Sequence, residues 1–227
     1  VHATPWDTRA QLAQEKLAIG FYLSGHLFDA YALEVRQFIS QKIGELQDSR
    51  DQKTIAGIVR DMRIANTARG KMLLLKLDDK SGVVDVAFSA STPEAQIALV
   101  KEDELLVLQG ACREDRFSGG LRFNAQQIWD LAGARLQFAK YLRLSIQGNS
   151  TRLPHIAALL REFPPQTITL DDGYTSSKGV AVRLRIQGAD CTGEIDLGAK
   201  ARFYPSDAAL AAWMLEADGG QARLVYS

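Results

Sequence analysis

Apolar side chains recur at three- and four-residue steps along the first 48 residues, the spacing of helices that bury one face. One predicted helix begins after Asp7-Thr8 and ends at Ser24-Gly25-His26. A second predicted helix starts near Asp29 and continues to about Ile43, and a polar linker follows it. Residues 1–50 are therefore expected to form a helical segment.

Beyond this segment the pattern changes to the two-residue alternation of β-strands. Strands are predicted at 54–64, 71–77, 83–89, 104–113 and 121–129. A short helix is predicted from Thr92-Pro93-Glu94, between the third and fourth strands. Three strands, a helix and two strands is the element order of an OB-fold barrel, so we assign residues 51–135 to an OB-fold domain.

The remaining residues, 136–227, follow the order β-α-β-β-α-β. Strands are predicted at 141–147, 180–187, 193–203 and 221–226, with helices through Leu153–Leu160 and after Pro205-Ser206-Asp207. This order favours a split-βαβ arrangement over an antiparallel sheet, with 166–178 as a loop and 131–134 as a short hinge. The whole chain is thus predicted to be an α+β multidomain protein: a helical segment, an OB-fold barrel and a small βαββαβ domain.

Charge is balanced overall and within each part. The chain has 27 Lys and Arg against 27 Asp and Glu. Residues 1–50 carry five basic and six acidic groups, 51–135 carry twelve of each, and 136–227 carry ten and nine. A nucleic-acid site must therefore be local, with charge of one sign gathered on one face. No apolar run approaches the roughly 18–20 residues of a membrane span, so we expect a soluble, cytoplasmic protein without a membrane partner.

Two basic clusters lie in the predicted barrel. Between Arg60 and Lys76 five cations accompany a single acid, Asp61, and the second cluster brackets the turn between the last two strands. Both stretches fall where OB-folds meet oligonucleotides, and cationic grooves with aromatic faces hold single strands. The residues predicted to contact DNA are Arg60, Arg63, Arg69, Lys71, Arg116, Phe117 and Arg122. The alternative is a solvated strand face, with Phe117 and Phe123 partly in the core.

Catalysis finds little support in the sequence. The three histidines, His2, His26 and His155, are scattered, and no phosphate loop or nucleophile motif occurs. Asp78-Asp79 precedes Lys-Ser-Gly, which favours a turn over a metal site. We expect no catalytic residue, metal or cofactor in this chain, with an enzyme of unrecognised site as a third hypothesis.

The domain at 136–227 is interpreted as a docking module. Its candidate contact residues are Trp213, Met214 and Tyr226, with Arg183, Arg185 and Arg202 on strands. At the centre of a helix, however, Trp213 and Met214 are more typical of a core. The strand arginines would then supply steering and contacts at the rim of an interface. Both cysteines, Cys112 and Cys191, are predicted to be buried, which favours a reducing compartment.

The string EKLAIGFYLSGHLFDAY at 15–31 resembles the segment that follows the helix-hairpin-helix region in the alpha subunit of bacterial DNA polymerase III. The resemblance continues through KLDDKSGVVDVAFS at 76–89, DRFSGGLRF at 115–123 and ARFYPSD at 201–207. It implies the C-terminal region of a replicative DNA-directed DNA polymerase, with the catalytic palm upstream. Val1 in place of Met likewise predicts a segment of a longer chain.

The same resemblance implies the partners. In that family the OB domain contacts single-stranded template, and the terminal domain binds the tau subunit of the clamp loader within the polymerase III holoenzyme. Residues 1–14 do not match the family's sliding-clamp motif, so clamp binding is not expected of this chain. The final βαββαβ unit favours the main replicative form over the error-prone relative. A hypothesis from another class is a non-catalytic OB-fold adaptor that binds protein partners only.

Overall fold

The structure is a computed structural model that describes residues 25–67, 70–88, 92–115, 119–148, 151–169 and 175–226, together with Glu15 and Ala18. The contacts divide the chain into two compact units, Val1–Asp130 and Leu131–Ser227. Helix Leu131–Phe138 opens the second unit and includes residues 131–134, and the hinge there stays a prediction. No helix within these described ranges is long and apolar enough to cross a membrane.

Between residues 25 and 50 the N-terminal segment contains only short helical turns. They are a 3-10 turn at Leu27–Ala30, helix α1 at Ala32–Val35 and a 3-10 turn at Ile43–Glu45. The prediction of one helix from Asp29 to Ile43 is wrong, because the backbone at Ser40 bonds the barrel instead. Ser40 N donates to the Thr54 carbonyl at 2.8 Å, and the Ser40 hydroxyl accepts from Thr54 N at 3.1 Å. The helix predicted after Asp7-Thr8 lies almost wholly outside the described residues.

Five strands of the first unit close into a barrel. They are β1 (Lys53–Thr67), β2 (Gly70–Asp78), β3 (Val83–Phe88), β4 (Leu105–Glu114) and β5 (Leu121–Trp129). Helix α2 (Glu94–Ile97) connects β3 to β4 along the chain. The order around the barrel is β1-β2-β3-β5-β4, with β3 and β5 parallel and the other neighbours antiparallel. This is the OB-fold topology, and the predicted barrel is confirmed.

Alternation along the strands fills the barrel interior with apolar side chains. The fully buried residues include Val59, Leu77, Val86, Leu106, Leu108 and Phe123. Phe123 therefore belongs to the core and has no exposed ring face on which a base could stack. Cys112 is also buried, and this burial raises the pKa of its thiol, with the nearby Asp48 carboxylate adding to the effect.

The second unit combines a mixed sheet with three helices. Its elements are α3 (Leu131–Phe138), β6 (Tyr141–Gln147), α4 (Leu153–Glu162), β7 (Gln166–Thr169), β8 (Thr175–Lys178), β9 (Val180–Gln187), β10 (Thr192–Asp196), β11 (Arg202–Phe203), α5 (Asp207–Glu216) and β12 (Ala222–Val225). The sheet order is β10-β9-β6-β12. Strand β11 also pairs with β9, at the start of β9, whereas β10 pairs with the rest of that strand. Strands β7 and β8 form a separate hairpin, so the loop predicted at 166–178 is wrong.

The predicted split-βαβ arrangement is also wrong. Strands β6 and β9 are parallel and directly adjacent, whereas a split unit would place another strand between them. The sheet is mixed, since β12 and β10 run antiparallel to their neighbours. The predicted strand 193–203 is divided into β10 and β11, and α3, β7 and β8 were not predicted. The other strands and helices follow in the predicted order.

Helices α4 and α5 contact each other and cover one face of this sheet. Trp213 on α5 is fully buried, and its ring centroid lies 5.3 Å from that of Phe203. Ser206 caps α5 through its hydroxyl, which accepts from Ala209 N at 3.1 Å. Tyr226 is buried as well, so of the three expected contact residues only Met214 is exposed. The prediction that Cys191 is buried is wrong, because it lies exposed between β9 and β10.

Candidate nucleic-acid interface

One row of charged side chains crosses the outside of the barrel. The strand register places Asp61 opposite Lys76, Lys76 opposite Asp85, Asp85 opposite Arg122 and Arg122 opposite Arg113. The neighbours of Lys76 on β2 and of Asp85 on β3 point into the core, as do Cys112 and Phe123 beside the two arginines, so these four charged side chains lie on the outer face. Asp61 is exposed and pairs with Lys76, and we call the five residues together the charged row. The charges along the row alternate in sign from Asp61 on β1 to Asp85 on β3, and the row ends with two adjacent arginines. The row therefore holds cations without a large net positive charge.

Arg63 and Arg122 lie at the same shallow depression on this outer face. Three members of the charged row, Asp61, Lys76 and Asp85, line the depression with them. Within the described part of the chain, neither Arg63 nor Lys76 is in an ion pair, and both are exposed. These two cations are therefore available to an anionic ligand.

Arg122 and Arg113 are held more firmly. Arg122 Nη2 donates to Asp115 Oδ2 at 2.6 Å, and the Asp115 side chain is almost fully buried. Arg113 Nε lies 3.1 Å from Asp48 Oδ1 at a half-exposed position. Such pairing orients a guanidinium while leaving its other donors to face a ligand.

Arg60 occupies a different environment. It lies at the irregular register position between Val59 and Asp61, and its Nε donates to Asp78 Oδ2 at 2.9 Å. His26 completes the cluster, with Nε2 3.2 Å from Asp78 Oδ1. Arg60 thus ties the N-terminal segment to the barrel, and it is not among the residues that line the depression. Its contact with DNA stays a prediction.

Four other predicted contact residues cannot be placed as side chains. Arg69, Arg116 and Phe117 lie outside the described residues, and for Lys71 only the backbone of β2 is described. Of the seven residues predicted from sequence, the structure brings together Arg63 and Arg122. Lys76 was counted in the basic cluster but not chosen, and the structure places it in the same depression as Arg63 and Arg122. The apolar Met62 and Ile64, exposed on the other face of β1, were missed.

Asp78 and Asp79 serve as hydrogen-bond acceptors in the turn between β2 and β3. Asp79 Oδ1 accepts from Ser81 N at 2.9 Å and Oδ2 accepts from Ile43 N at 2.9 Å. Asp78 Oδ1 accepts from Lys80 N at 2.8 Å. The predicted turn is confirmed, and it anchors the N-terminal segment to the barrel.

The anchoring cluster depends on the charge of Asp78. Burial by itself raises the pKa of this carboxyl, but hydrogen bonds from the Lys80 amide, Arg60 and His26 outweigh it and leave the pKa below its usual value. A group with a lowered folded-state pKa stabilises the protein above its unfolded pKa, and this contribution is lost as pH falls through the folded value.

We therefore expect Asp78→Asn to lower the free energy of unfolding by about 1–3 kcal/mol at pH 7, the range for hydrogen bonds to charged groups. The difference between the variant and the parent chain should shrink as pH falls below about 3.9, the ordinary pKa of an aspartate, toward the lower pKa of Asp78 in the folded protein. Urea unfolding between pH 7 and pH 3 measures it. A difference that stays constant over this range would show that the charge of Asp78 contributes nothing.

The two described histidines lie in different units and contact different carboxylates. His26 accepts from Phe28 N through Nδ1 at 3.1 Å in the first unit, while His155 in the second unit lies 3.2 Å from Glu216. His2 lies outside the described residues.

The chain is similar to DNA polymerase III alpha subunits along most of its length. The subunit of Pseudomonas aeruginosa is 36% identical over 179 residues, which cover 77% of this chain and 15% of that protein. That of Vibrio cholerae is 30% identical over 208 residues, covering 90% of this chain and 17% of that protein. The chain belongs to the DNA polymerase III alpha-subunit family. The resemblance found in the sequence is thus confirmed.

The chain spans about one sixth of the length of these alpha subunits. No family model matches it. Among solved structures it is similar to the second OB-fold domain of replication protein A from Methanococcus maripaludis, with 19% identity, a TM-score of 0.32, and coverage of 40% of this chain and 95% of that one.

Proposed function

We propose that this part of a DNA polymerase III alpha subunit binds single-stranded DNA on the outer face of its barrel. The observation that supports it is the shared depression of Arg63, Lys76 and Arg122 on β1, β2 and β5, the face that OB-folds use for oligonucleotides. The polymerase activity of the whole subunit, in the bacterial cytoplasm, belongs to the same proposal. The catalytic residues would then lie outside this chain.

The alternating signs of the charged row limit the affinity. Asp61 and Asp85 flank Lys76 and offset the attraction of the cations for phosphate, so binding should be weak, salt-dependent and blind to sequence. This balance is also the observation that favours the second candidate, an adaptor whose barrel binds protein only. The two candidates differ in whether the chain binds a bare oligonucleotide.

We expect the double variant Arg63→Glu/Lys76→Gln to bind single-stranded DNA about tenfold more weakly at low salt, with a salt dependence flatter by about one to two units. Fluorescence anisotropy of a labelled oligodeoxythymidylate measures both quantities. The matched control is Arg50→Glu/Lys101→Gln, which makes the same charge change at exposed positions away from the depression. Equal binding by the two variants, or no binding by the parent chain, would leave the adaptor as the better description.

The second unit is proposed to dock the tau subunit of the clamp loader, with other holoenzyme subunits nearby. Supporting this, three large apolar side chains on its two long helices are exposed: Leu153 at 56%, Met214 at 50% and Leu215 at 79%. Arg152 Nη1 donates to the Leu215 carbonyl at 2.8 Å, which brings the start of α4 beside the end of α5. Exposed apolar residues that lie close together are typical of protein interfaces.

The variant Leu153→Glu/Leu215→Glu should weaken binding of purified tau at least tenfold, because apolar anchors at the centre of an interface contribute about 2 kcal/mol or more each. Leu33→Glu, at another highly exposed leucine in the first unit, is the control. Isothermal titration calorimetry gives both affinities. Tau binding that survives the double variant would place the docking surface elsewhere.

A further inference from the structure

Among the described residues of the second unit, the long helices α4 and α5 pack on one face of the sheet, and no helix is described on the other. Leu142, Leu144, Val182, Leu184 and Phe203 point toward α4 and α5 and are buried. Because side chains alternate between the faces of a strand, the residues between them point the other way. That opposite surface, which we call the open sheet face, is polar and basic rather than apolar.

Five arginines gather on the open sheet face. Strand pairing places Arg223 opposite Arg143 and Arg143 opposite Arg183, and alternation adds Arg185 and Arg202. Only two acids join them among the described residues, Glu194 opposite Arg185 and Asp196 opposite Arg183. The face therefore has a surplus of three positive charges. A chain with balanced charge needs such a local excess of positive charge to bind nucleic acid. The excess on the open sheet face is larger than that of the charged row on the barrel.

An aromatic ring lies within this basic surface. Arg183 Cζ is 4.1 Å from the ring centroid of Tyr141, and Arg143 Cζ is 5.7 Å from it. Arg143 Nη2 donates to Tyr141 Oη at 3.0 Å, and Arg143 Nε lies 3.0 Å from Glu194 Oε1. Arg183 Nε donates to Asp196 Oδ2 at 3.1 Å. These contacts fix two guanidinium planes around one ring before any ligand arrives.

Two of the arginines have no such partner. Within the described ranges, Arg185 and Arg223 are in no ion pair, and Arg223 is exposed on β12. A guanidinium group that is not already bound to a carboxylate can donate to phosphate oxygens, which it matches in geometry and charge. The fixed stack of Arg183 on Tyr141 supplies a plane of the kind on which nucleic-acid bases stack.

We propose that the open sheet face binds single-stranded DNA, with Arg185 and Arg223 on phosphates and the Tyr141–Arg183 stack beside a base. This is a second DNA contact, separate from the barrel, and it rests on the proposed function only in taking DNA as the ligand. The exposed apolar residues that suit a protein partner lie on the helices, so the two faces of this unit serve different ligands.

The test uses the full 227-residue chain and a fluorescein-labelled oligodeoxythymidylate of about 30 nucleotides, long enough for more than one site. Arg185→Glu/Arg223→Glu should weaken binding about tenfold and flatten the salt dependence by about two units, one per lost phosphate contact. The control Arg161→Glu/Lys178→Glu makes the same charge change on α4 and β8, outside this sheet. It should bind within about twofold of the parent, since neither side chain belongs to the open sheet face.

Several outcomes would overturn the proposal. One is an unchanged affinity of Arg185→Glu/Arg223→Glu for the oligonucleotide. Another is an equal loss of affinity in the control, because DNA would then respond only to the overall electrostatic field of the protein. If Arg185→Glu/Arg223→Glu still binds DNA but no longer binds tau, the open sheet face is a protein-docking surface. Arg63→Glu/Lys76→Gln is measured in parallel: if it has no effect while the sheet variant loses affinity, the barrel proposal fails and the present one stands.

Discussion

Replacing Trp213 with alanine should lower the free energy of unfolding by about 3–5 kcal/mol, the range for removing a buried aromatic side chain. The ring is fully buried between α5 and the sheet, and it contacts Phe203. Alanine would leave a cavity that the strands cannot close, because Leu142, Val182 and Leu184 are held by their backbone ladder. Since proteins of this size are stable by only about 5–15 kcal/mol, the second unit should be largely lost on mild heating.

Urea unfolding of the full chain, followed by circular dichroism, measures this loss. Trp213→Phe is the matched control. Among the described residues the buried indole Nε1 has no hydrogen-bond partner, so phenylalanine removes no bond and should cost less than about 1.5 kcal/mol. If alanine and phenylalanine destabilise the protein equally, the burial of the ring is not what stabilises the unit.

Gly110→Ala should disrupt the barrel where β4 meets β5. A Cβ at this position would overlap the carbonyl oxygen of Asn124 and approach Ala125 Cα to 3.0 Å. Both are backbone atoms, so neither can rotate away, and the register already shifts between Gln109 and Gly110. We expect a loss of about 1–3 kcal/mol or more.

Thermal unfolding of Gly110→Ala against Gly193→Ala tests the steric origin of this effect. At Gly193, in β10, an added Cβ meets no atom within 4 Å, so alanine there should be neutral or slightly stabilising. Equal melting temperatures for the two variants would show that β4 and β5 can separate locally without loss.

The barrel could be predicted from the sequence because its information is local. Leu73, Leu75 and Leu77 alternate, as do Val84, Val86 and Phe88, and turn residues separate the two runs. The N-terminal helix could not be predicted correctly. Its apolar spacing is real, but the bonds of Ser40 to Thr54 connect residues of different segments, and no local pattern indicates them.

Strand neighbours pose the same difficulty in the second unit. Strands β6, β9, β10 and β12 and the two long helices follow the predicted order β-α-β-β-α-β, yet the same order fits both a split and an adjacent βαβ unit. Which strand pairs with β6 depends on packing across the sheet, and the hydrophobic alternation of β9 and β10 does not distinguish them.

The candidate site was predicted in composition rather than in geometry. A basic stretch can be seen in the sequence, but whether Arg60 faces a ligand or Asp78 depends on an irregular register at that residue. Lys76 and Asp85 become neighbours only through pairing of β2 with β3. Arg183, Arg185 and Arg202 were named from the sequence as rim contacts for a protein partner. The cluster they form could not be predicted, because Arg143 and Arg223 are far from them in the sequence and meet them only in the folded sheet.

The charges on the two outermost strands of that sheet have a consequence for solubility. Strand β12 has four residues and includes Arg223, while β10 is exposed throughout and carries Glu194 and Asp196. An unpaired strand edge is a template on which another molecule's strand can add, and short, charged edges oppose such growth. The charged side chains of β10 and β12 therefore help to prevent aggregation through the edges of the sheet.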